Sequence, residues 1–234
     1  MNEKILVVDD EKEIADLVEV YLRNEGFTVY KFYDGTSALN FIRNENLDLA
    51  VLDVMLPDIE GYTILNKIRE KYFYPVIMLT AKIEDIDKIK GLTLGADDYI
   101  TKPFNPLEVV ARVKTQLRRY IRYNVAEKAS LDLDEEKEYD IRGLIVNKEK
   151  HRCTLYGKDI NLTPIEFSIL WYLCDNKGKV VSSEELFENV WEESYIDNNN
   201  TVMVHVGRIR EKLHEPSRNP KFIKTVWGVG YTIE

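Results

Sequence analysis

Five polar residues in the first half of the sequence each lie at the end of a short apolar run. They are Asp9, Asp10, Asp53, Thr80 and Lys102. Three carboxylates in one small site repel one another, and a hard divalent cation that prefers oxygen, Mg²⁺ above all, neutralises such a cluster. With that cation present, a carboxylate can attack a phosphoryl group while a lysine offsets charge on its oxygens. These residue types therefore indicate phosphoryl transfer to an aspartate.

The apolar runs themselves read as strands of a parallel sheet. They are short and rich in branched or aromatic residues, and several lack polar alternation, as expected of strands covered on both faces. The predicted strands are 4–10, 27–31, 47–53, 75–80 and 98–102. Alternating with five helices within about 120 residues, they predict an α/β doubly wound sheet of flavodoxin-like size. The reactive site of such a sheet lies beyond the carboxyl ends of its strands, where the five polar residues converge.

Helix signals between the strands support this alternation. Apolar residues at 14, 17, 18, 21 and 22 have helical spacing, and Gly26 follows as a natural stop. Asn105, Pro106 and Glu108 match an N-cap, a first-turn proline and an N3 carboxylate, so the last helix of this domain is predicted to begin there.

Residues 121–138 separate the two halves of the chain. They hold six acidic residues, little aromatic content and no clear period, which indicates a solvated linker. The alternative is an acidic surface helix that extends the preceding one. We therefore predict a first domain over 1–120, a linker over 121–138 and a second domain over 139–234.

The second half changes from short strands to helices and then to a hairpin. Thr163, Pro164 and Glu166 form a capping-box start, and Ser182 begins a second helix. A third helix is predicted over 201–213, and 222–233 reads as two strands around Gly228 and Gly230. Three helices with a terminal hairpin predict an α+β winged helix-turn-helix domain.

A local surplus of positive charge lies in the third helix and beyond it. Positions 205 to 224 hold six Lys or Arg residues and only two glutamates, and such a patch can bind phosphates. Thr201, His205, Arg208 and Lys212 share one helix face by their spacing, whereas the apolar residues at 202, 206, 209 and 213 share another. We expect the apolar face to pack and the polar face to be free.

Composition places limits on the rest of the molecule. The 234 residues carry a net charge of -9, which argues against a generic polyanion binder. The amino-terminal sequence lacks a secretory h-region and no segment reaches about 18 uninterrupted apolar residues, so a cytoplasmic protein is expected. Cys153 and Cys174 have no metal-binding spacing, and we interpret them as buried reduced thiols.

The acidic residues and their spacing resemble the receiver domain of bacterial response regulators. The resemblance makes Asp53 the phosphoacceptor and Asp9 and Asp10 the acidic pair. It implies that Mg²⁺ is held at this cluster by Asp10, Asp53 and the backbone carbonyl of Met55. A sensor histidine kinase would supply the phosphoryl group.

The same resemblance assigns the remaining polar residues of the pocket. Thr80 is the switch hydroxyl and Tyr99 the switch aromatic residue. Lys102 is the phosphate-binding lysine and precedes Pro103 in what the family usually makes a cis peptide.

The second half resembles the OmpR/PhoB class of winged-helix outputs, through Leu-Thr-Pro-Ile-Glu-Phe, the 200–213 segment and Thr-Val-Trp-Gly-Val-Gly-Tyr. The resemblance implies that the third helix enters the major groove of an operator, with Arg208 reading guanine and His205 and Arg210 on phosphates. Gly207 and Trp227 depart from the class pattern, which argues against minor-groove readout by the wing. The predicted DNA-binding residues are Thr201, His205, Arg208, Arg210, Lys212, Lys224 and Trp227.

Phosphorylation in this class leads to a homodimer that acts with RNA polymerase. The resemblance places the interface on the fourth helix, fifth strand and fifth helix of the first domain, with exposed ion pairs between subunits. The implied pairs are Lys88 with Glu108, Asp97 with Arg119, and Asp98 with Arg112.

Two other functions compete with this interpretation, in which the chain is a regulator and not an enzyme. Aspartyl-phosphate phosphatases of the haloacid-dehalogenase type also use a strand-end aspartate and Mg²⁺. They need a second acid two residues after the nucleophile, where this sequence has Met55. The other alternative is a DNA-binding regulator that is never phosphorylated, against which the complete acidic site argues.

Overall fold

The computed structural model describes residues 3–81, 94–129, 138–192, 201–216 and 219–234. The chain divides into two compact units, Met1–Tyr120 and Ile121–Glu234. Within the described residues, no helix is long and apolar enough to cross a membrane. The domain bounds given by the sequence, with a separate linker over 121–138, stay a prediction.

The first unit contains a five-stranded parallel sheet in the order β2-β1-β3-β4-β5. The strands are β1 (Lys4–Val8), β2 (Thr28–Phe32), β3 (Leu49–Asp53), β4 (Val76–Thr80) and β5 (Asp98–Thr101). All five predicted strands are confirmed, and no end differs from its predicted position by more than two residues. Every residue of β3 and β4 is buried, which explains why these runs show no polar alternation.

Four helices of this unit lie in the described residues: α1 (Lys12–Asn24), α2 (Gly35–Ile42), α3 (Gly61–Arg69) and α4 (Pro106–Ala129). The predicted fourth helix falls mainly on 82–93, outside the described residues. The α1 helix buries Ala15, Val18 and Leu22, and Gly26 follows its end with φ +88°, as its stop signal predicts. The Asn105 side chain accepts from the Leu107 backbone N–H at 3.0 Å, which confirms the predicted N-cap of α4.

The α4 helix continues past the compact core of the first unit. It ends at Ala129, so the first nine residues of the predicted linker segment are helical. This observation agrees with the alternative of an extended helix for 121–129. Residues 130–137 of that segment lie outside the described residues.

The second unit combines two antiparallel sheets with three helices. The four-stranded sheet has β6 (Glu138–Ile141), β7 (Leu144–Asn147), β8 (Arg152–Leu155) and β9 (Lys158–Asp159), in that order. The three-stranded sheet has β10 (Val181–Ser182), β11 (Ile223–Val226) and β12 (Gly230–Ile233), in the order β10-β12-β11. The helices are α5 (Pro164–Asp175), α6 (Ser183–Trp191) and α7 (Thr201–Lys212). The predicted winged helix-turn-helix arrangement of elements is confirmed.

Caps and a shared core fix the helices of the second unit. The Thr163 backbone N–H donates to Glu166 Oε2 at 2.8 Å, and Ser182 accepts from the Glu185 backbone, so both predicted caps are confirmed.

Cys153 and Cys174 are free and buried in the core, as predicted, and burial raises the pKa of each thiol to about 12.

The start of α3 lies directly against the end of β3. The Gly61 backbone N–H donates to the Val54 carbonyl at 3.0 Å, and a Cβ added to Gly61 would meet the Asp53 carbonyl oxygen at 2.0 Å. Since that oxygen belongs to the backbone, it cannot move aside as the end of a flexible side chain could. Gly61 therefore lets α3 begin beside the strand end that carries Asp53.

We predict that Gly61→Ala destabilises the first unit by about 1–3 kcal/mol, because the added methyl overlaps the strand end. Urea unfolding followed by far-ultraviolet circular dichroism measures this change. Gly207→Ala is the control, since a Cβ at this helical position meets nothing within 4 Å. It should leave stability unchanged or raise it slightly. Equal stabilities of the two variants would contradict the close approach.

Candidate functional site

Three carboxylates form an acidic pocket at the carboxyl ends of β1 and β3. One oxygen from each of Asp9, Asp10 and Asp53 lies within 4.8 Å of the others. Asp9 and Asp53 are buried, whereas Asp10 is exposed to solvent. A ligand set made of oxygen alone, with three negative charges, suits a hard divalent cation. The structure therefore brings together the three acids that the sequence predicted.

Lys102 extends from the loop after β5 into this acidic pocket. Its Nζ atom lies 2.7 Å from Asp53 Oδ2, 2.8 Å from Asp9 Oδ2 and 2.9 Å from Glu11 Oε1. Burial favours the neutral amine, but these acidic partners outweigh burial and raise the pKa of Lys102. Burial, together with the charge of Asp53, raises the pKa of Asp9 to about 6 despite the nearby ammonium. One lysine thus offsets only part of the negative charge.

The other predicted residues of the pocket lie on neighbouring elements. Thr80 ends β4 and is buried, and its carbonyl accepts from the Lys102 backbone N–H at 2.7 Å. Tyr99 is half-buried on β5, beside Met78 in register. The Lys102–Pro103 peptide bond is cis, as the resemblance implies. Met55 is exposed, and its backbone N–H donates to Asp53 Oδ1 at 3.0 Å.

Glu11 is a member of the pocket that the sequence interpretation missed. Its side chain accepts from Lys102, and its backbone N–H donates to Asp9 Oδ1 at 3.0 Å. The available signal was its position directly after Asp9 and Asp10, at the N-cap of α1.

Four of the six residues predicted for dimerisation form ion pairs within one chain. Arg112 lies 2.9 Å from Asp98 and 3.2 Å from Glu108. Asp97 is only 1% exposed and lies 2.6 Å from Arg69, and Asp98 is only 7% exposed, so the expectation that these two acids belong to exposed pairs is wrong. Arg119 donates to Gln116, and Lys88 lies outside the described residues.

The α7 face that we expected to be free is largely buried. His205 is fully buried and packs against Trp191, and Arg208 is only 8% exposed. Arg208 Nη2 lies 2.9 Å from Glu166 Oε1, and Lys212 Nζ lies 2.6 Å from Glu166 Oε2. The predicted free face is therefore wrong at His205 and Arg208. Arg208 can be buried because a carboxylate on α5 supplies its counter-charge, which helical spacing cannot reveal.

The remaining predicted DNA-binding residues lie at the edges of α7 and in the β11–β12 hairpin. Thr201 begins α7 and is partly exposed. Arg210 donates to the Ile223 carbonyl and to Thr225 Oγ1, so it ties α7 to β11. Lys224 pairs with Glu234 at the surface, and Trp227 is 90% exposed at the hairpin turn.

The fold and this pocket define a response regulator, and comparisons with known proteins show its family. The response regulator receiver domain model matches residues 5–114. The model of the transcriptional regulatory protein C-terminal domain matches residues 157–233. The chain belongs to the DNA-binding response regulators of the OmpR/PhoB type. Receiver and output domains in one chain imply two partners, a sensor kinase and DNA.

Two regulatory proteins of Enterococcus match this chain over its whole length. The chain is 67% identical to the regulatory protein VanRc of Enterococcus gallinarum and 55% identical to VanR of Enterococcus faecium, with 100% of each chain covered. This agrees with the resemblance to VanR of Glu-Ile-Ala-Asp-Leu-Val-Glu and Ile-Lys-Thr-Val-Trp-Gly-Val-Gly-Tyr.

Solved structures agree with the family. The response regulator DrrB, a Thermotoga maritima OmpR/PhoB homologue, is 38% identical with a TM-score of 0.52. A mutant of the protein RitR is 27% identical with a TM-score of 0.73. Both comparisons cover 100% of this chain and 99% of the other chain.

We predict that Glu166→Gln destabilises the second unit by about 3–5 kcal/mol near neutral pH, because Arg208 loses its buried counter-charge. Burial opposes ionisation of Glu166, but the charges of Arg208 and Lys212 lower the pKa of its carboxyl. The stability that this carboxylate contributes is complete above its ordinary pKa and is lost as pH falls through the lowered folded value. The difference between wild type and variant should therefore shrink in acid.

Urea unfolding followed by tryptophan fluorescence measures this difference, since Trp171, Trp191 and Trp227 all lie in the second unit. The control is Glu184→Gln, which alters an exposed carboxylate in the first turn of α6 and should change stability by less than about 0.5 kcal/mol. A Glu166→Gln variant as stable as this control would contradict the proposed role of the buried pair.

Proposed function

We propose that this chain is a phosphorylation-switched transcription regulator in which Asp53 accepts a phosphoryl group from a sensor histidine kinase. The main observation that supports this proposal is the 2.7 Å distance between Lys102 Nζ and Asp53 Oδ2 inside the acidic pocket. An Asp53 oxygen bonds to phosphorus as the bond from phosphorus to the kinase histidine nitrogen breaks. Lys102 then offsets charge on the phosphoryl oxygens, and the Thr80 hydroxyl donates to one of them.

The proposed cofactor is Mg²⁺, held by Asp10, Asp53 and the backbone carbonyl of Met55, with Asp9 completing the acidic set. Bound Mg²⁺ would neutralise charge that develops on the phosphoryl group. The chain's own contacts support the required orientation of Asp53. Its Oδ1 atom accepts from Met55 N–H and its Oδ2 atom accepts from Lys102, so both oxygens are held in place.

Phosphorylation adds about one and a half to two negative charges, which Lys102, Mg²⁺ and Thr80 are placed to stabilise. We propose that Thr80 and Tyr99 move inward in response and that the chain then dimerises. Dimerisation raises the local concentration of a second DNA-binding domain at a paired operator. The surface that meets DNA comprises α7 and the β11–β12 hairpin.

We further propose that the regulator acts in the cytoplasm, controls genes of glycopeptide resistance and works with RNA polymerase. The proposed target genes rest on relatives named VanRc and VanR that match the whole chain. A phosphatase activity is not part of this function, since Met55 replaces the second acid that such enzymes need.

We predict that Asp53→Asn abolishes phosphate incorporation, because an amide cannot form the acyl phosphate. The measurement is incubation with acetyl phosphate and Mg²⁺, followed by mass spectrometry of the intact chain. Asp48→Asn, near the amino end of the same strand, should incorporate phosphate like wild type. Removing Mg²⁺ with a chelator should also stop incorporation. Full incorporation by Asp53→Asn would place the phosphoacceptor elsewhere.

The proposed dimer face includes β5 and α4, which is the fifth helix predicted from the sequence. Asp98, Glu108 and Arg112 form one ion network there. Arg112 is central, because it pairs with both acids. The Arg112–Glu108 pair is partly exposed and is worth at most about 1 kcal/mol, whereas Asp98 is buried, so the network matters more than its partly exposed member. Dimerisation by this route exchanges intrachain pairs for pairs between subunits.

We predict that Arg112→Glu prevents phosphorylation-induced dimers, because it places a negative charge beside Asp98 and Glu108. Sedimentation velocity with and without phosphodonor measures the dimer fraction. Lys114→Glu is the control on the same helix, where Lys114 pairs instead with Glu25 near the end of α1. Intact phosphorylation-dependent dimers in the Arg112→Glu variant would show that another face is used.

A further inference from the structure

The solvent-facing stripe of α7 carries no basic residue. Along this helix the exposed residues are Met203, Gly207 and Glu211, spaced four apart and therefore on one face. Met203 is 50% exposed in the first turn. A Cβ at Gly207 would meet nothing within 4 Å, so the helix backbone is open to close approach at this point. The carboxylate of Glu211 lies in the last turn.

Arg208, the residue predicted to read base edges, lies on another face of α7. Arg208 is buried against Glu166, which Lys212 also contacts. To reach a base edge, Arg208 would have to leave a fully buried carboxylate. A base-reading role for Arg208 therefore requires breaking the contact that joins α7 to the start of α5.

Met203 shares a concave surface with the β11–β12 hairpin. A cavity of about 820 Å³ lies between α7 and the hairpin, and its lining includes Met203, Arg210, Trp227 and Val229. Met203, Trp227 and Val229 are three large apolar side chains that the second unit leaves exposed. Lys224 lines the same cavity and adds a second cation, and Glu184 of α6 contributes one carboxylate. The surface thus combines exposed apolar side chains with two cations and one carboxylate.

We infer that Met203 reads thymine methyl groups in the major groove, with Gly207 allowing the helix to approach closely. This inference rests on the proposed DNA-binding function. A thioether side chain offers no strong hydrogen-bond donor or acceptor to a base edge, and the C5 methyl of thymine is the apolar group that a base pair presents in the major groove. The cations of the same surface suit the phosphates on either side. The occupant is therefore duplex DNA with thymine at the positions that α7 faces.

The test uses an operator selected from random duplexes by the full wild-type chain with phosphodonor, then resynthesised with single thymines replaced by deoxyuridine. Loss of one contacted methyl should weaken wild-type binding about fourfold, as measured by fluorescence anisotropy. Met203→Ala should bind the thymine operator about fourfold more weakly and should no longer distinguish thymine from deoxyuridine. Met203→Leu should restore part of the discrimination. Leu17→Ala, at an exposed apolar residue of the first unit, should bind like wild type.

Several outcomes would overturn the inference. If wild type binds both operators equally, or Met203→Ala weakens both by the same factor, methyl readout is wrong although DNA binding stands. If Met203→Ala changes only transcription with purified RNA polymerase, this surface docks a protein rather than DNA. If the wild-type chain selects no duplex sequence, the proposed function itself fails.

Discussion

Mutual repulsion of buried carboxylates is the constraint on which the first unit depends. Asp9 and Asp53 are held together at the strand ends with Asp10 and Glu11 beside them, and Lys102 is the cation that reaches this group among the described residues. Because one ammonium cannot balance several carboxylates, the pocket keeps a deficit of positive charge. Burial, with the charge of Asp53 added, raises the pKa of Asp9 although Lys102 opposes this rise. Such a deficit suits a divalent cation, as the proposed function requires. The parallel sheet maintains the arrangement, since its strands end at one edge.

The sequence could predict this site because its geometry follows from topology. Each polar residue of the pocket lies at the end of a buried apolar run, and parallel strands place such ends at one edge of the sheet. Glu11 was not predicted because its role depends on a contact with the side chain of Lys102, which lies 91 positions further along the sequence. The full length of α4 was not decided by the sequence for another reason. The residues beyond Tyr120 show no clear apolar period, yet the helix continues to Ala129.

The sequence predicted the elements of the second unit well, but it could not choose the buried face of α7 correctly. Helical spacing identified the apolar stripe at 202, 206 and 209, and these residues are buried. The same helix also buries His205 and Arg208, so the buried surface is wider than one apolar stripe. Glu166 makes this arrangement possible, because it is both the N3 residue of a capping box and the counter-charge for Arg208. Its second role depends on a contact between helices that the sequence pattern does not show.

The two units bury carboxylates in opposite electrostatic surroundings, and this contrast separates their roles. Asp53 shares one lysine with Asp9 and Glu11, so its negative charge is only partly offset. Glu166 faces Arg208 and Lys212 and accepts a backbone N–H, so its pKa is lowered and its charge is satisfied. The first arrangement suits the proposed phosphoryl transfer, whereas the second holds two helices together. A buried carboxylate can therefore serve the proposed phosphoacceptor site in one unit and join two helices in the other.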